Sequence, residues 1–313
     1  MIDFIKFMAF VDSDELIKNP YLKFEGKYFV NTGEVIAKTQ IANHFGLQFK
    51  IINKSTVIVQ GSLHKFYNFL RGFKAPNQHT PESTNKGFNG DTLNHTQLCF
   101  VVNYLADRFN INLENSRVLN IEFGLNLFHS FDTNKILQSI LLHKGKIFSR
   151  EVGQRIYYKQ AIHTQYFFKC YNKSLQYGLS VPTLRIELKY FKMSQLNKLG
   201  LVTVNQLKST GLLNQLCALL IKKWGETLFI DYTLNKSNLK AKEKDLLIKY
   251  TNEVFWQHLP AQRHDRHKKK LDEMTKRNSE NVKHKIEKMI LETWEKQNQK
   301  CVTFYQLKKT SIV

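Results

Sequence analysis

The chain has 313 residues, of which 42% are apolar, which is ample for a substantial core and longer than one average domain. Lys and Arg number 47 against 26 Asp and Glu, a formal charge of +21 spread along the chain, and the pI is near 9.7. Such a field favours polyanionic partners, and no stretch approaches the roughly 20 unbroken apolar residues of a membrane span, so nucleic acid leads and a membrane is not expected.

The opening "MIDFIKFMAFVDSDELI" carries an early Asp3 and no small-residue cleavage site, so no signal peptide is expected. Residues 1–60 read as strands, extended around Tyr28 to Asn31, with a hairpin in "LQFKIINKSTVIVQG" that turns at Asn53, Lys54 and Ser55. "GSLHKFYNFL" follows, then the polar loop "KAPNQHTPESTNKGFNGD". A helix is predicted from about Asn94, with Leu98, Val101, Val102, Leu105 and Phe109 at helical spacing. "SRVLNIEFGLNLF" alternates cleanly: Leu119, Ile121, Phe123, Leu125 and Leu127 make an apolar face, and Asn120, Glu122, Gly124 and Asn126 a polar one. The next helix is capped at Asp132 or Thr133, turns Ile136, Leu137, Ile140 and Leu141 inward and stops at Gly145.

Two further strands are expected at 165–173 and 183–191. The first sets Lys169, Tyr171 and Lys173 opposite Phe168 and Cys170; the second sets Arg185, Glu187 and Lys189 opposite Leu184, Ile186, Leu188 and Tyr190. Beyond about Leu199 the pattern turns helical. A capping box at Thr203 and Gln206, a helix ending at Gly225, the charge run "QRHDRHKKKLDEMTKR" and a stripe of Val282, Ile286, Met289, Ile290 and Trp294 follow in turn. The expected fold class is α+β: an antiparallel sheet with helices packed on one face, a palm like that of RNA-recognition modules, over residues 1–200, then a basic, mainly helical region over 201–313. Cys99, Cys170, Cys217 and Cys301 form no CxxC pair, which argues against a zinc knuckle or a disulfide framework and suits a reducing cytoplasm.

The polar strand phases hold Glu122, Tyr171 and Glu187 beside Lys169, Lys173 and Arg185. Two converging carboxylates can hold Mg²⁺ or Mn²⁺, which polarises a phosphodiester. A tyrosine oxygen can attack such a phosphodiester, and neighbouring cations lower the cost of its phenolate. A solvated, merely basic binding face is the alternative. An acid pair inside a phosphate-binding surface repels the ligand unless a cation lies between, which favours the enzyme.

Several ordered segments resemble the filamentous-phage gene II endonuclease family of rolling-circle replication initiators, found also in plasmids and prophages. They are "MIDFIKFMAFVD", "VIVQGSLHKFYN", "VLNIEFGLNL", "CYNKSLQYG" and "TLRIELKYFKMSQLNKLGLVTVNQL", spanning roughly residues 1–210. The resemblance implies a site-specific nickase that leaves a free 3′-hydroxyl and a protein-linked 5′-phosphate in the cytoplasm of a bacterial host. It implies Tyr171 as nucleophile, Lys173 as a phosphate contact, Glu122 and Glu187 as metal ligands, and His64 as a third ligand. Related tyrosine nickases use paired histidines, and this chain has no His-x-His, which leaves the carboxylates as the main ligands. Lys169, Arg185, Lys189 and the run Lys268, Lys269 and Lys270 are expected on DNA. The implied partners are origin DNA, single-stranded or supercoiled, and a host helicase or polymerase; no small-molecule substrate is expected. A non-catalytic DNA-binding regulator and an inactive prophage remnant are the competing readings. Tyr157 and Tyr158 in "QRIYYKQ" offer a second nucleophile, and packing at a strand end is the plainer role for them.

Overall fold

The computed structural model describes residues 1–26, 31–32, 40–149 and 158–298. Most of the extended stretch expected at 28–31, Tyr157 and Cys301 lie outside the described residues. The chain begins with β1 (Ile2–Phe10), α1 (Ser13–Ile17), β2 (Ile41–His44), β3 (Leu47–Asn53) and β4 (Thr56–Ser62). Next come α2 (Leu63–Leu70), α3 (Pro81–Asn85), α4 (His95–Phe109), β5 (Arg117–Phe128) and α5 (Thr133–Ser139). The hairpin β6 (Ile140–His143) and β7 (Lys146–Ile147) leads to β8 (Tyr158–Ile162), β9 (Tyr166–Asn172), α6 (Lys173–Tyr177) and β10 (Thr183–Tyr190). The remainder is α7 (Ser194–Asn197), α8 (Thr210–Gly225), β11 (Thr227–Phe229), α9 (Ala241–Tyr250), α10 (Glu253–His258), α11 (Ala261–Asn278) and α12 (Val282–Asn298).

Eight strands make one sheet in the order β2-β3-β4-β1-β5-β10-β9-β8, every neighbouring pair antiparallel. The apolar phase of each strand faces one core: Ile5 and Phe7 of β1, Ile121 to Leu127 of β5, and Leu184, Ile186 and Leu188 of β10. Phe66 of α2, Leu98 to Phe109 of α4, Leu213 to Trp224 of α8, and Val282, Ile286, Ile290 and Trp294 of α12 cover it. The protein is therefore α+β, an antiparallel sheet with helices on one face and a helical C-terminal region, the class the alternation predicts. Helices α8 and α12 share the sheet's core, each buried side chain contributing about 1.5–3 kcal/mol. Helices α9 to α11 close a separate cluster around Tyr250, Trp256, Leu271 and Met274. No helix among the described residues is long and apolar enough to cross a membrane.

The helix from Asp132 ends at Ser139, not at Gly145, and Ile140 opens β6. Lys144 and Gly145, at φ 49° and 75°, make the two-residue turn into β7. Gly after an apolar run is the usual helix stop, but two successive left-handed residues are also the tight hairpin turn.

Two local features shape the polar face. In β1 the register slips between Ile2, opposite Phe123, and Ile5, opposite Ile121, so β1 carries one residue more than β5. Ile5, Phe7 and Ala9 face the core, and strict alternation would put Asp3 there too. The bulge reverses the phase: Ile2 points inward, and Asp3 and Phe4 both line the opposite side.

The second feature is Gly124, which lies across from Glu187. A Cβ there would come within 2.1 Å of the Ile186 carbonyl oxygen and 2.6 Å of Glu187 Cα and Cβ. The strand pair can close only because this position has no side chain. Gly124→Ala should cost at least about 1–3 kcal/mol in urea unfolding and displace Glu187. An unaltered midpoint would show that β5 and β10 are less closely set than this.

Candidate active-site cleft

Across the polar face runs a cleft of about 360 Å³, lined by Asp3, Glu122 and Glu187, by Tyr158 and Tyr171, and by Lys65, Lys169, Lys173 and Lys189. Strand register accounts for most of it. Arg185, Glu187 and Lys189 of β10 lie opposite Asn126, Gly124 and Glu122 of β5 on one side, and opposite Tyr171, Lys169 and Phe167 of β9 on the other. Tyr158 of β8 sits across from Tyr171, their rings 5.7 Å apart.

Glu187, 1% exposed, is held by three donors. Lys169 Nζ donates at 3.0 Å, Arg185 Nε at 2.8 Å and Tyr171 Oη at 3.3 Å. Burial would raise its carboxyl, but Lys169 and Arg185 outweigh burial and hold it down at about 2. Lys169 also reaches Glu122 at 2.8 Å, and Lys189 stands 3.7 Å from Glu122 above the Phe4 ring. Burial, with the charge of Glu187 beside it, pushes Glu122 up to about 8. Asp3 accepts from Ser62, from Asn89 Nδ2 at 2.6 Å and from Arg185 at 3.3 Å. Its carboxyl lies well below the usual range because Arg185, then Lys173, outweigh the effect of burial.

Oxygens of Asp3, Glu122 and Glu187 lie within 4.8 Å of one another. Three buried carboxylates are hard oxygen donors that fit Mg²⁺ or Mn²⁺. Lys169 and Arg185 hold them together in the protein itself, so a dication would compete with the Lys169 ammonium for Glu122 and Glu187.

The expected site residues divide into those the cleft gathers and those it does not. Glu122, Glu187, Lys169, Tyr171, Lys173 and Lys189 all line it. His64, expected at a strand end beside the acids, is instead in the first turn of α2. It is buried with Nε2 2.8 Å from Asp91 Oδ1, and Asp3 stands where a third ligand was expected. Arg185, expected on DNA, is 1% exposed, and its guanidinium is committed to Glu187, Asn126 and Asp3. Lys173, expected on a phosphate, is also 1% exposed, bonded to Asn89 at 2.7 Å and Tyr171 Oη at 3.3 Å. Burial and then Arg185 lower its ammonium to about 7. Lys268 and Lys269 are exposed on α11, and Lys270 is half-buried 3.8 Å from Glu243.

Tyr171 departs from expectation in its electrostatics. Neighbouring cations were expected to ease its ionisation; instead burial, then Glu187, raise its phenol well above the ordinary value. Neither Asp3 nor Asn89 is among the site residues expected from the sequence, although an acid in phase with Ile5, Phe7 and Ala9 is a signal of its own.

No family model matches the chain, and no curated protein does. Among solved structures it is similar to one titled "Structure of Rolling Circle Replication Initiator Protein from Geobacillus stearothermophilus", at 12% identity and a TM-score of 0.41, covering 80% of this chain and 96% of that one.

At pH below about 8 a dication must displace the Glu122 proton to bind. The Mn²⁺-induced rise in Tm should therefore grow between pH of about 6.5 and about 8.5, and Glu122→Gln should flatten that dependence. A pH-independent rise in the native protein would put Glu122 outside the ligand set.

Proposed function

We propose that the protein is a divalent-metal-dependent DNA nickase that initiates rolling-circle replication by tyrosine transesterification. One observation carries the reading: a single cleft brings three carboxylates, two tyrosines and four lysines onto one face of the sheet. A surface that merely binds phosphates gains nothing from three buried acids, since they repel the ligand. The ordered resemblance to gene II endonucleases across residues 1–210 supports the same chemistry.

In this reading Asp3, Glu122 and Glu187 would hold Mg²⁺ or Mn²⁺, which would supply Lewis-acid polarisation of the scissile phosphate. The chain's own groups do the rest. A tyrosine Oη gives up its proton and bonds to phosphorus, and the P–O3′ bond breaks. The departing oxygen takes a proton, leaving a 3′-hydroxyl and a 5′-phosphotyrosine. Lys189 and Lys65 line the cleft and would carry flanking phosphates.

In this reading Tyr158 is the attacking group. Tyr171 donates to a buried carboxylate, which opposes its phenolate. Tyr158 donates to the neutral Gln160 amide at 2.5 Å and lines the same cleft. Tyr171 has one point in its favour, which keeps it as the second reading: Lys173 Nζ lies 3.3 Å from its oxygen, and an amine lowered to about 7 can accept the proton.

The test uses supercoiled DNA of the protein's own replicon with Mn²⁺. Tyr158→Phe should abolish the covalent adduct, and Tyr171→Phe should slow nicking yet leave an adduct that maps to Tyr158. The reverse pattern would assign the nucleophile to Tyr171. Tight DNA binding with no nicked circle from the native protein would return the chain to the non-catalytic class. Binding itself should weaken steeply with salt, and Lys268→Ala with Lys269→Ala should lessen the log–log slope by about 0.7–0.9 for each phosphate that is no longer neutralised. An unchanged slope would place α11 off the DNA.

A further inference from the structure

The loop between α3 and α4 has no regular structure at Phe88–Asp91, yet four side chains from outside it pin its backbone. Asn126 of β5 donates to the carbonyls of Asn89 at 2.9 Å and Asp91 at 2.6 Å. Asn68 of α2 donates to the Phe88 carbonyl at 3.0 Å, and Gln78 and Tyr177 donate to that of Gly87. Buried carbonyls need donors, and here they come from β5, α2, α6 and the segment before α3. What this fixes in place is the Asn89 side chain, 4% exposed.

That amide stands between two groups of opposite charge. Its Nδ2 donates to Asp3 Oδ2 at 2.6 Å, and its Oδ1 accepts from Lys173 Nζ at 2.7 Å and from Tyr177 Oη at 2.6 Å. The chemistry sets the orientation, because a flipped amide would aim its NH₂ at an ammonium and its oxygen at a carboxylate. Lys173, buried between the rings of Tyr171 at 5.0 Å and Tyr177 at 4.9 Å, has no carboxylate within salt-bridge distance among the described residues. Without the amide, an ammonium and a carboxylate of low exposure would attract each other strongly.

We infer that Asn89 is a positioning residue that holds Lys173 apart from Asp3, so that no second internal cation joins Arg185 on Asp3 and Lys173 stays on the tyrosine side of the cleft. The inference rests on the metal reading proposed above. Removing the amide would let Lys173 close onto Asp3 as a second internal counter-ion beside Arg185. One substitution would then cost the site a ligand without touching a ligand.

The experiment is thermal unfolding of the full chain titrated with MnCl₂, comparing Asn89→Ala, Lys173→Met and the double variant. Asn89→Ala should weaken the apparent Mn²⁺ affinity by about 10–100-fold, the range for partners of ligands. Lys173→Met alone should keep the native affinity, whatever it does to nicking. The double variant should regain it, because Lys173 is no longer there to join Arg185 on Asp3. That rescue separates positioning from a general loss of structure, which a second substitution would not repair. Should Asn89→Ala fail to fold, Asn89→Ser, too short to span from Lys173 to Asp3, should weaken Mn²⁺ binding in the same way, and Lys173→Met should restore it there. Native affinity in Asn89→Ala (or in Asn89→Ser where the alanine variant does not fold), no recovery in the double variant, or no Mn²⁺ effect on the native protein would each overturn the inference. Nicking assays on the same proteins judge the other reading: a full Mn²⁺ pattern without any nicked product sinks the nickase and leaves Asn89's role intact.

Discussion

Three carboxylates cannot be packed together on the buried side of a sheet unless something offsets their charge. At 4.8 Å, each pair repels by about 3–4 kcal/mol for an effective dielectric near 20. Lys169 between the two glutamates and Arg185 between Glu187 and Asp3 supply that offset. Much of the surrounding architecture serves it. β10 and β9 must be neighbours for Lys169 to reach Glu187, Gly124 must lack a side chain for β5 to approach β10, and β1 must bulge for Asp3 to join. The raised Glu122 and lowered Glu187 are the two ends of the same tension: Lys169 and Arg185 favour the charge on Glu187, and burial together with that charge opposes one on Glu122.

Most of this was legible where the alternation was unbroken. β5, β9 and β10 each have an apolar phase of three or more residues, so the polar phase, with Glu122, Lys169, Tyr171 and Glu187, follows from period two alone. Helical spacing located α4 and Gly225 the end of α8; Asn94 and Ser209 cap these helices by bonding the first turn. Asp3 was hidden because a bulge is set by pairing with a strand more than a hundred residues away. Asn89 was hidden because loop composition predicts irregular backbone and says nothing of the donors that later fix it. His64 misled because "GSLHKFYN" reads as the end of a strand, whereas Ser62 caps a helix there by accepting from the Lys65 amide.

The cations divide along a line that composition cannot show. Arg185 and Lys173 are as basic in sequence as Lys268 and Lys269, yet the first two are interior parts holding acids, an amide and a phenol. Only the second pair faces solvent. Net charge therefore overstates the surface available to a polyanion, because some of it is consumed within the protein. The same division explains how an acid-rich cleft can exist in so basic a chain: the interior cations neutralise it, and the exterior ones carry the field.

The bulged first strand also bears on synthesis. β1 leaves the ribosome before the strands it pairs with but ends between β4 and β5, and its Asp3 waits for Arg185 and Glu187, more than 180 residues later. Pairings of such long range form slowly. A nascent chain released or cut short before β10 would carry its strands and its excess positive charge but no assembled acid cluster. Under the proposed function such a fragment would hold nucleic acid without cutting it and would compete with the finished protein for the same DNA.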